Sequence, residues 1–498
     1  MRLLTREQSQ ALDRLTHQRI PEEHLMQEAA RACFSAMLQM TKLPRVLIFA
    51  GPGQNGQDGF WLAQLCKEAG WDVHIHPWQA DGLAAAPKGQ RADSLRLQSQ
   101  TMVMGDFGSA LEVIPQCGIV VDAIFGAGLN RPLGPVSILQ LQSVQVACRK
   151  AKIPILAVDS PTGLDLNTGR LWGGALAATR TVTMGAAKPG FFMEQGPRVT
   201  RQLRIAKLSF ADADIKSLGQ NYFLFGPQAA RQILGSLSPV AHKATQGRLR
   251  IYAGSDQYPG ASLLCLRSAG RTGVGYLELV TRGNWFRQVG RTPEVLCHPW
   301  GATLSSKPSA LVFGPGLGLE AEVGARFEEI RRQALVPVVL DADGLTVFAN
   351  SGGGKLPRNW ILTPHQGELT RLLGWPSEQV AQDRVSAAAE LALRTQAIVV
   401  AKGYRTVVTN GEKKAIIFAG NSALAKAGSG DVLTGMIGSF LAQGLVPFEA
   451  ACLGAYVHGM FADLWVKSGK NPRALLPSDL DASTCFEALD RLVPRLQF

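Results

Sequence analysis

Ala427-Gly428-Ser429-Gly430-Asp431 runs directly into Val432, Leu433, Met436, Ile437, Phe440 and Leu441. Apolar residues at that spacing mark a helix with a wide buried face. The glycines in front of it leave the first backbone amides unpaired and pointing outward. Such a helix start attracts phosphate through its free N–H groups and its dipole. Asp431 then stands beside the phosphate as a candidate base; a helix cap is its other reading.

Upstream, short apolar runs alternate with longer helical stretches. Candidate strands are Leu249–Tyr252, Tyr276–Val280, Ala310–Phe313, Val336–Leu340, Ile398–Ala401, Thr406–Thr409 and Ala415–Phe418. This alternation predicts a parallel sheet covered on both faces. Four polar or glycine-rich clusters follow strands: Gly314-Pro315-Gly316-Leu317-Gly318, Leu340-Asp341-Ala342-Asp343, Leu362-Thr363-Pro364-His365-Gln366-Gly367-Glu368 and Lys402-Gly403-Tyr404-Arg405-Thr406. Each alone is an ordinary turn, and His365 alone reads as a hydrogen-bonded structural histidine. Together with the glycine turn at 428–430 they point to a large ligand, because open α/β sheets bind ligands at the carboxyl ends of their strands.

The same pattern occupies the N-terminal half. Thr5-Arg6-Glu7-Gln8 fits a capping box, and Pro21 with its acidic neighbours opens a second helix running towards Met37. Strands follow at Val46-Leu47-Ile48-Phe49, Ile119-Val120-Val121 and Ile155-Leu156-Ala157-Val158. After the first comes Gly51-Pro52-Gly53-Gln54-Asn55-Gly56-Gln57-Asp58-Gly59, which matches G-x-G-x-x-G at Gly51, Gly53 and Gly56. Hydride chemistry fits poorly. That fingerprint wants an acid ending the next strand, but the strand near Val73 to Ile75 ends in His76-Pro77-Trp78. A carboxylate inside the loop, Asp58, repels a pyrophosphate unless a cation or ribose hydroxyls partner it. Two further clusters follow strands, Asp122 to Arg131 and Asp159 to Asp165. Asn55, Asp122 and Thr162 together suit an alkali cation, which prefers oxygen donors; Arg131 and loop amides suit phosphates.

The whole chain has 498 residues, 46% hydrophobic and 18% charged, which is ordinary for a protein of two or more packed domains. A polar, poorly periodic stretch from Ala211 to Phe225 marks the expected boundary. Eight cysteines lie scattered at 33, 66, 117, 148, 265, 297, 452 and 485, none within metal-ligand spacing. That predicts reduced thiols in a cytoplasmic protein, without a zinc site or disulfide framework. Lys and Arg give a net charge of +12 but form no long basic run. A solvated basic surface or a phosphate-bearing small molecule is expected rather than nucleic acid. The most apolar stretch, Ala450 to Val466, carries His458 and Asp463, so a buried helix is expected there and no membrane span. The first ten residues lack an apolar leader segment.

The glycine loop, the segment Val121 to Arg131, the run Ala157 to Asp165 and the leading helical Leu25 to Arg31 together resemble the NAD(P)H-hydrate epimerase (YjeF N-terminal) family over about residues 1–212. The clusters from about Phe225 onward, with His242-Lys243, resemble the ribokinase-like NAD(P)H-hydrate dehydratase (YjeF C-terminal) family. The implied fold is α/β: a Rossmann-like three-layer αβα domain (1–212), a linker (213–225) and a ribokinase-like domain (226–498). The resemblance implies that Gln54, Asn55, Gly56, Gln57, Asp58 and Gly126, Ala127, Gly128, Leu129, Asn130, Arg131 and Pro132 hold hydrated NADH or NADPH. It places potassium at Asn55, Asp122 and Thr162, and makes Asp159 the acid–base group. In the second domain it implies that Ala261, Gly316, His365 and Asp431 face the hydrate, with Asp431 catalytic. Lys402, Gly403, Tyr404, Arg405, Thr406, Gly428, Ser429 and Gly430 would hold ADP or ATP, with Mg²⁺ assisted by Glu368 or Asp343. A cytoplasmic homo-oligomer, a tetramer by preference, is implied as well. The chain departs from the pattern at three places. Thr162 replaces serine, Ala244 replaces glycine, and Gln57 puts a β-carbon where the family has glycine, so a left-handed backbone there would be strained. Two other readings remain open: a small-molecule kinase sharing the anion turn, and a binding-only N-terminal half.

Overall fold

The apolar run at 46–49 lies inside a parallel six-stranded sheet in the computed structural model, which describes residues 1–78, 106–234, 240–282, 292–481, 489 and 492. The strands are β1 (Arg45–Ala50), β2 (Asp72–Pro77), β3 (Ile119–Ala123), β4 (Ile155–Val158), β5 (Arg180–Met184) and β6 (Gln202–Ala206), ordered β2-β1-β3-β4-β5-β6. Alternate residues of β1 face opposite layers. Val46, Ile48 and Ala50 pack with Cys33, Met37, Leu62 and Cys66 of the helices Glu22–Leu38 and Gln54–Glu68. Leu47 and Phe49 pack with Ala110, Leu141 and Val144 of the helices Phe107–Val113 and Pro135–Ala151. This is the expected three-layer arrangement. Strand order reverses between β1 and β3, which opens a crevice at their carboxyl ends.

The boundary between the two compact units falls within residues 213–225, and these residues are structured. They hold most of the helix Asp212–Leu218 and a strand, β7 (Tyr222–Phe225), and the compact units divide as Arg2–Tyr222 and Phe223–Phe498 with Met1. The strand was missed because its four residues, Tyr-Phe-Leu-Phe, follow a polar helix with no buried residue.

The second sheet has the order β10-β9-β8-β11-β12-β13-β14-β15-β16-β7. Its remaining strands are β8 (Arg248–Tyr252), β9 (Tyr276–Thr281), β10 (Val295–Pro299), β11 (Ala310–Phe313), β12 (Val338–Leu340), β13 (Ile361–Leu362), β14 (Ile398–Ala401), β15 (Val407–Thr409) and β16 (Lys414–Ile417). Pairing is parallel from β10 across to β14 and antiparallel over β14-β15-β16. The helix Ser429–Ala442 is buried along almost its whole length. It approaches the helix Pro259–Arg271 so closely that a β-carbon on Gly435 would stand 2.1 Å from the Cys265 carbonyl oxygen. Ala450 to Val466 falls within the helix Pro447–Lys467, which is mostly buried. Among the described residues no helix is long and apolar enough to cross a membrane. The seven described cysteines are free thiols; Cys485 lies outside the described residues.

Candidate active sites

The loop after β1 is tight because backbone meets backbone. A β-carbon on Gly51 would stand 1.9 Å from the Ile124 carbonyl oxygen, and one on Gly56 would stand 1.8 Å from that of Gly51. These two glycines bring the start of the helix Gln54–Glu68 against the segment after β3. A cavity of about 210 Å³ opens there, lined by Gln54, Asn55 and Asp58, by Gly126 to Leu129, by Asp159 and Lys188, and by Asp13 and His17 of the helix Arg6–His17.

Asp159 sits just past β4 with a left-handed backbone, φ 59°, a conformation that a short polar side chain tolerates. Its Oδ1 accepts hydrogen bonds from Lys188 Nζ at 2.8 Å, Thr183 Oγ1 at 3.0 Å and the Met184 amide at 3.2 Å. Burial opposes ionisation, but the Lys188 ammonium and these donors outweigh it and hold Asp159 below the ordinary carboxylate range. Asp58 moves the other way: burial, then the charges of Asp159, Asp13 and Glu22, push it well up.

Beside this cavity Asp122 is fully buried. Its oxygens accept from the Thr162 amide at 2.8 Å and the Thr162 hydroxyl at 2.6 Å. Burial raises it to about 6, opposed by these Thr162 bonds. The Phe125 amide donates to Thr162 Oγ1 at 3.0 Å, and the Asn55 carboxamide packs on Gly126. Asn55 Nδ2 is buried without a partner. The structure therefore gathers one carboxylate, one hydroxyl and one amide in a small buried group. The chemistry of that donor set suits a monovalent hard cation.

In the second unit, the turn before the helix Ser429–Ala442 has Gly428 at φ 90°, in left-handed backbone. Lys402, just past β14, donates to Asp341 Oδ1 at 2.7 Å, and its Nζ lies 3.8 Å from Glu368 Oε2. A β-carbon on Gly430 would stand 3.3 Å from Lys402 Nζ, so glycine lets the helix start close over this pair. Asp341 Oδ2 accepts from Thr434 Oγ1 at 2.6 Å. Although burial opposes it, the Lys402 charge holds Asp341 below the ordinary range. For Asp431 the balance is reversed: burial, then the Asp341 charge, outweigh the pull of Lys402 and raise it to about 7. A carboxyl group there exchanges its proton near neutral pH, which is what a general base requires. Ser429 Oγ lies 3.1 Å from His458 Nε2, and burial lowers His458 to about 4, which keeps it neutral.

Known proteins match both halves. Residues 249–483 match the NAD(P)H-hydrate dehydratase family, and residues 22–190 match the family of YjeF-related protein N-termini. The bifunctional NAD(P)H-hydrate repair enzyme of Thermofilum pendens is 34% identical over 89% of this chain and 88% of its own length. This chain belongs to the bifunctional NAD(P)H-hydrate repair family. It has an epimerase-like N-terminal domain and a dehydratase C-terminal domain. The ADP/ATP-dependent NAD(P)H-hydrate dehydratase from Bacillus subtilis, co-crystallised with ATP and Mg²⁺, is 32% identical with a TM-score of 0.50, covering 54% of this chain and 98% of its own. A ribokinase-like superfamily protein from Enterococcus faecalis, 22% identical with a TM-score of 0.50 over 55% of this chain and 97% of its own, shares the fold.

In this member of the repair family, the expected residues are distributed unevenly. Gln54, Asn55, Asp58, Gly126 to Leu129 and Asp159 line the N-terminal cavity. Gly56 and Gln57 do not line it, and Asn130, Arg131 and Pro132 are exposed outside it. Gln57 carries no positive φ; it lies within the helix Gln54–Glu68, so the strain expected from its β-carbon is absent. In the C-terminal domain Gly316, at φ 63°, packs against Ala261 and Tyr258. His365 caps the helix Gln366–Leu373: its Nδ1 accepts from the Gly367 amide at 3.0 Å, leaving most of the ring exposed. The loop Lys402 to Thr406 is held from below by buried Arg384, which donates to the carbonyls of Ala401, Tyr404 and Arg405. Neither suggested Mg²⁺ ligand is idle: Asp343 accepts from the Gly318 amide at 2.8 Å, and Glu368 from that of His365 at 2.7 Å. Sequence reasoning missed Lys188, Thr183, Thr434 and Arg384. Only Lys188 carried a signal, a lone lysine before Pro189-Gly190 at a strand end.

Proposed function

We propose that the N-terminal domain interconverts the R and S forms of hydrated NADH or NADPH, and that the C-terminal domain dehydrates the S form while consuming ADP or ATP. Hydration of an enamine puts the proton on its β-carbon and the hydroxyl on the carbon bonded to nitrogen. In the C-terminal domain Asp431 removes the proton of that hydroxyl. The oxygen attacks the terminal phosphoryl group, whose charge is carried by the amides of Gly428 and Gly430. The phosphate leaves with its bonding pair as the ring-nitrogen lone pair moves in. Loss of a proton from the neighbouring carbon then restores the double bond. With ADP the sum is hydrate plus ADP to NAD(P)H, AMP and phosphate.

Lys402 to Thr406 and Gly428 to Gly430 hold the nucleotide on this reading; Ala261, Gly316 and the exposed face of His365 meet the hydrate. Mg²⁺ enters with the nucleotide phosphates, as it does where few protein ligands are offered. Among the described residues no group of three or more His, Cys, Asp or Glu is placed to hold a metal. In the N-terminal domain Asp159, ionised beside Lys188, is the base. Potassium bound by Asn55, Asp122 and Thr162 supplies a fixed positive charge that neutralises Asp122. The helical backbone at Gln57 favours an active N-terminal domain over a binding-only one.

The observation that carries this reading is the position of Asp431: a carboxyl group poised near neutrality at the first turn of a helix that Gly428 opens in left-handed backbone. The Ser429 amide, expected to be unpaired, donates to the Lys426 carbonyl at 3.2 Å, so the amides left for phosphate on this reading are those of Gly428 and Gly430. The test is to incubate mixed hydrate epimers with Mg²⁺ and ADP or ATP and follow absorbance near 340 nm. Recovery of the full signal, faster than spontaneous epimerisation allows, is expected. Recovery of only the S share removes the epimerase assignment, and no recovery removes both.

A further inference from the structure

We propose that Asp13 is the proton donor of the N-terminal site, acting as the acid partner to Asp159. The assignment rests on the epimerase reading of that domain. Asp13 lies on the helix Arg6–His17 and lines the same cavity as Asp159, Asp58 and Lys188. Among the described residues its carboxyl accepts no hydrogen bond, whereas Asp159 accepts three. One turn along the same helix, His17 Nδ1 is buried against the cavity with no partner. Two polar side chains on one helix are thus left for something that enters the cavity.

The helix is fixed in place against the segment expected to hold the dinucleotide. Gln10 Nε2 donates to the Ala127 carbonyl at 3.1 Å, and the Thr5–Gln8 capping box holds the helix start. Leu12 is buried, and the Thr16 hydroxyl donates to its carbonyl at 2.8 Å. The titratable and charged groups around Asp13 are Arg14 and His17 on its own helix, Glu22 on the next, and Asp159, Lys188 and Asp58 from the sheet side. Burial and then the Asp159 charge raise Asp13 to about 6, while Lys188 holds Asp159 down. Four carboxyl groups line the cavity, Asp13, Glu22, Asp58 and Asp159. Of these, Asp13 and Asp159 have proton affinities separated in the way an acid and a base require, and Asp13 stands on the helix Arg6–His17 beside the unpartnered His17 Nδ1.

The step balances with one water molecule. Asp13 gives its proton to the hydroxyl at the carbon bonded to nitrogen. The carbon–oxygen bond breaks, water leaves, and the nitrogen lone pair forms a carbon–nitrogen double bond. A water molecule adds to the other face, the pair returns to nitrogen, and Asp159 takes the proton released. The carbon is inverted; Asp159 then releases its proton and Asp13 regains one through solvent, so nothing is consumed.

The test uses the full chain and pure R hydrate without nucleotide, so that dehydration is silent, and separates the epimers by chromatography. Asp13→Asn is expected to lower the epimerisation kcat by about 10²-fold or more, with KM within about threefold. Dehydration of the S hydrate should be unchanged in the same preparation. Wild-type kcat should fall as pH rises and the donor deprotonates; the Asn variant should lose that limb, and Asp13→Glu should keep part of the rate. A wild-type chain no faster than the spontaneous reaction overturns the epimerase reading itself. An active wild type with Asp13→Asn within threefold of it overturns this assignment, as does Asp13→Glu as slow as Asp13→Asn while S dehydration persists.

Discussion

Lys402 Nζ and Asp341 Oδ1 lie 2.7 Å apart beneath the turn that carries Gly430. This buried pair has two consequences: it anchors the helix start, and its carboxylate pushes up the proton affinity of Asp431. Breaking a buried pair leaves an uncompensated charge, which costs about 3–5 kcal/mol. Lys402→Met should therefore destabilise the C-terminal domain by that order in urea unfolding, and Lys402→Met with Asp341→Asn by clearly less than the sum of the singles. Additive losses would mean the two groups act independently.

Asp431 fixes a pH dependence. In the unfolded chain its proton leaves near 3.8 and in the folded chain near 7. Between those values the folded state holds the extra proton, so the contribution of this group to stability declines as pH rises. Asp431→Asn should leave stability unchanged near pH 4 and raise it at pH 8, by no more than about 4 kcal/mol and by less after solvent screening. In wild type, kcat/KM for S dehydration should climb through pH 7. A profile flat from pH 6 to pH 8 contradicts the assignment of the base.

Potassium should be visible without any turnover. A ligand that binds only the folded state raises the melting temperature with its concentration. Raising KCl at constant ionic strength, with tetramethylammonium chloride as the balance, should stabilise the N-terminal domain. Asp122→Asn should abolish that response. Equal melting temperatures in the two salts would remove the cation site.

Gly56 and Gly53 differ sharply although the motif treats them alike. A β-carbon on Gly56 would stand 1.8 Å from the Gly51 carbonyl oxygen, while nothing lies within 4 Å of one on Gly53. Gly56→Ala should destabilise the N-terminal domain by at least about 1–3 kcal/mol, the usual range for overpacking. Gly53→Ala should change stability by less than about 1 kcal/mol. Similar losses from both would refute the close-approach account of the loop.

How much of this was legible in the sequence depends on how a residue earns its place. Buried central strands such as β1, β3 and β11 are continuous apolar runs and were readable. The strand β5, Arg-Thr-Val-Thr-Met, and the edge strand β6, half exposed, have no such run and were not. Glycine turns and strand-end acids announce themselves, so Asp122, Asp159 and Asp431 could be singled out as candidates. Lys188 and Thr183 hold Asp159, Thr434 holds Asp341 and Arg384 holds the loop after β14, all from distant positions that only the fold brings near. Asp13 was hidden for another reason: on an amphipathic helix a polar residue reads as solvent-facing.

The account depends on phosphoryl transfer at Asp431, and the direct measurement counts two products at once. With pure S hydrate, Mg²⁺ and ADP, inorganic phosphate and the 340 nm absorbance should rise together, one phosphate for each NAD(P)H, and both should vanish in a folded Asp431→Asn variant. Reduced cofactor appearing without phosphate, or at an unchanged rate in Asp431→Asn, would contradict it.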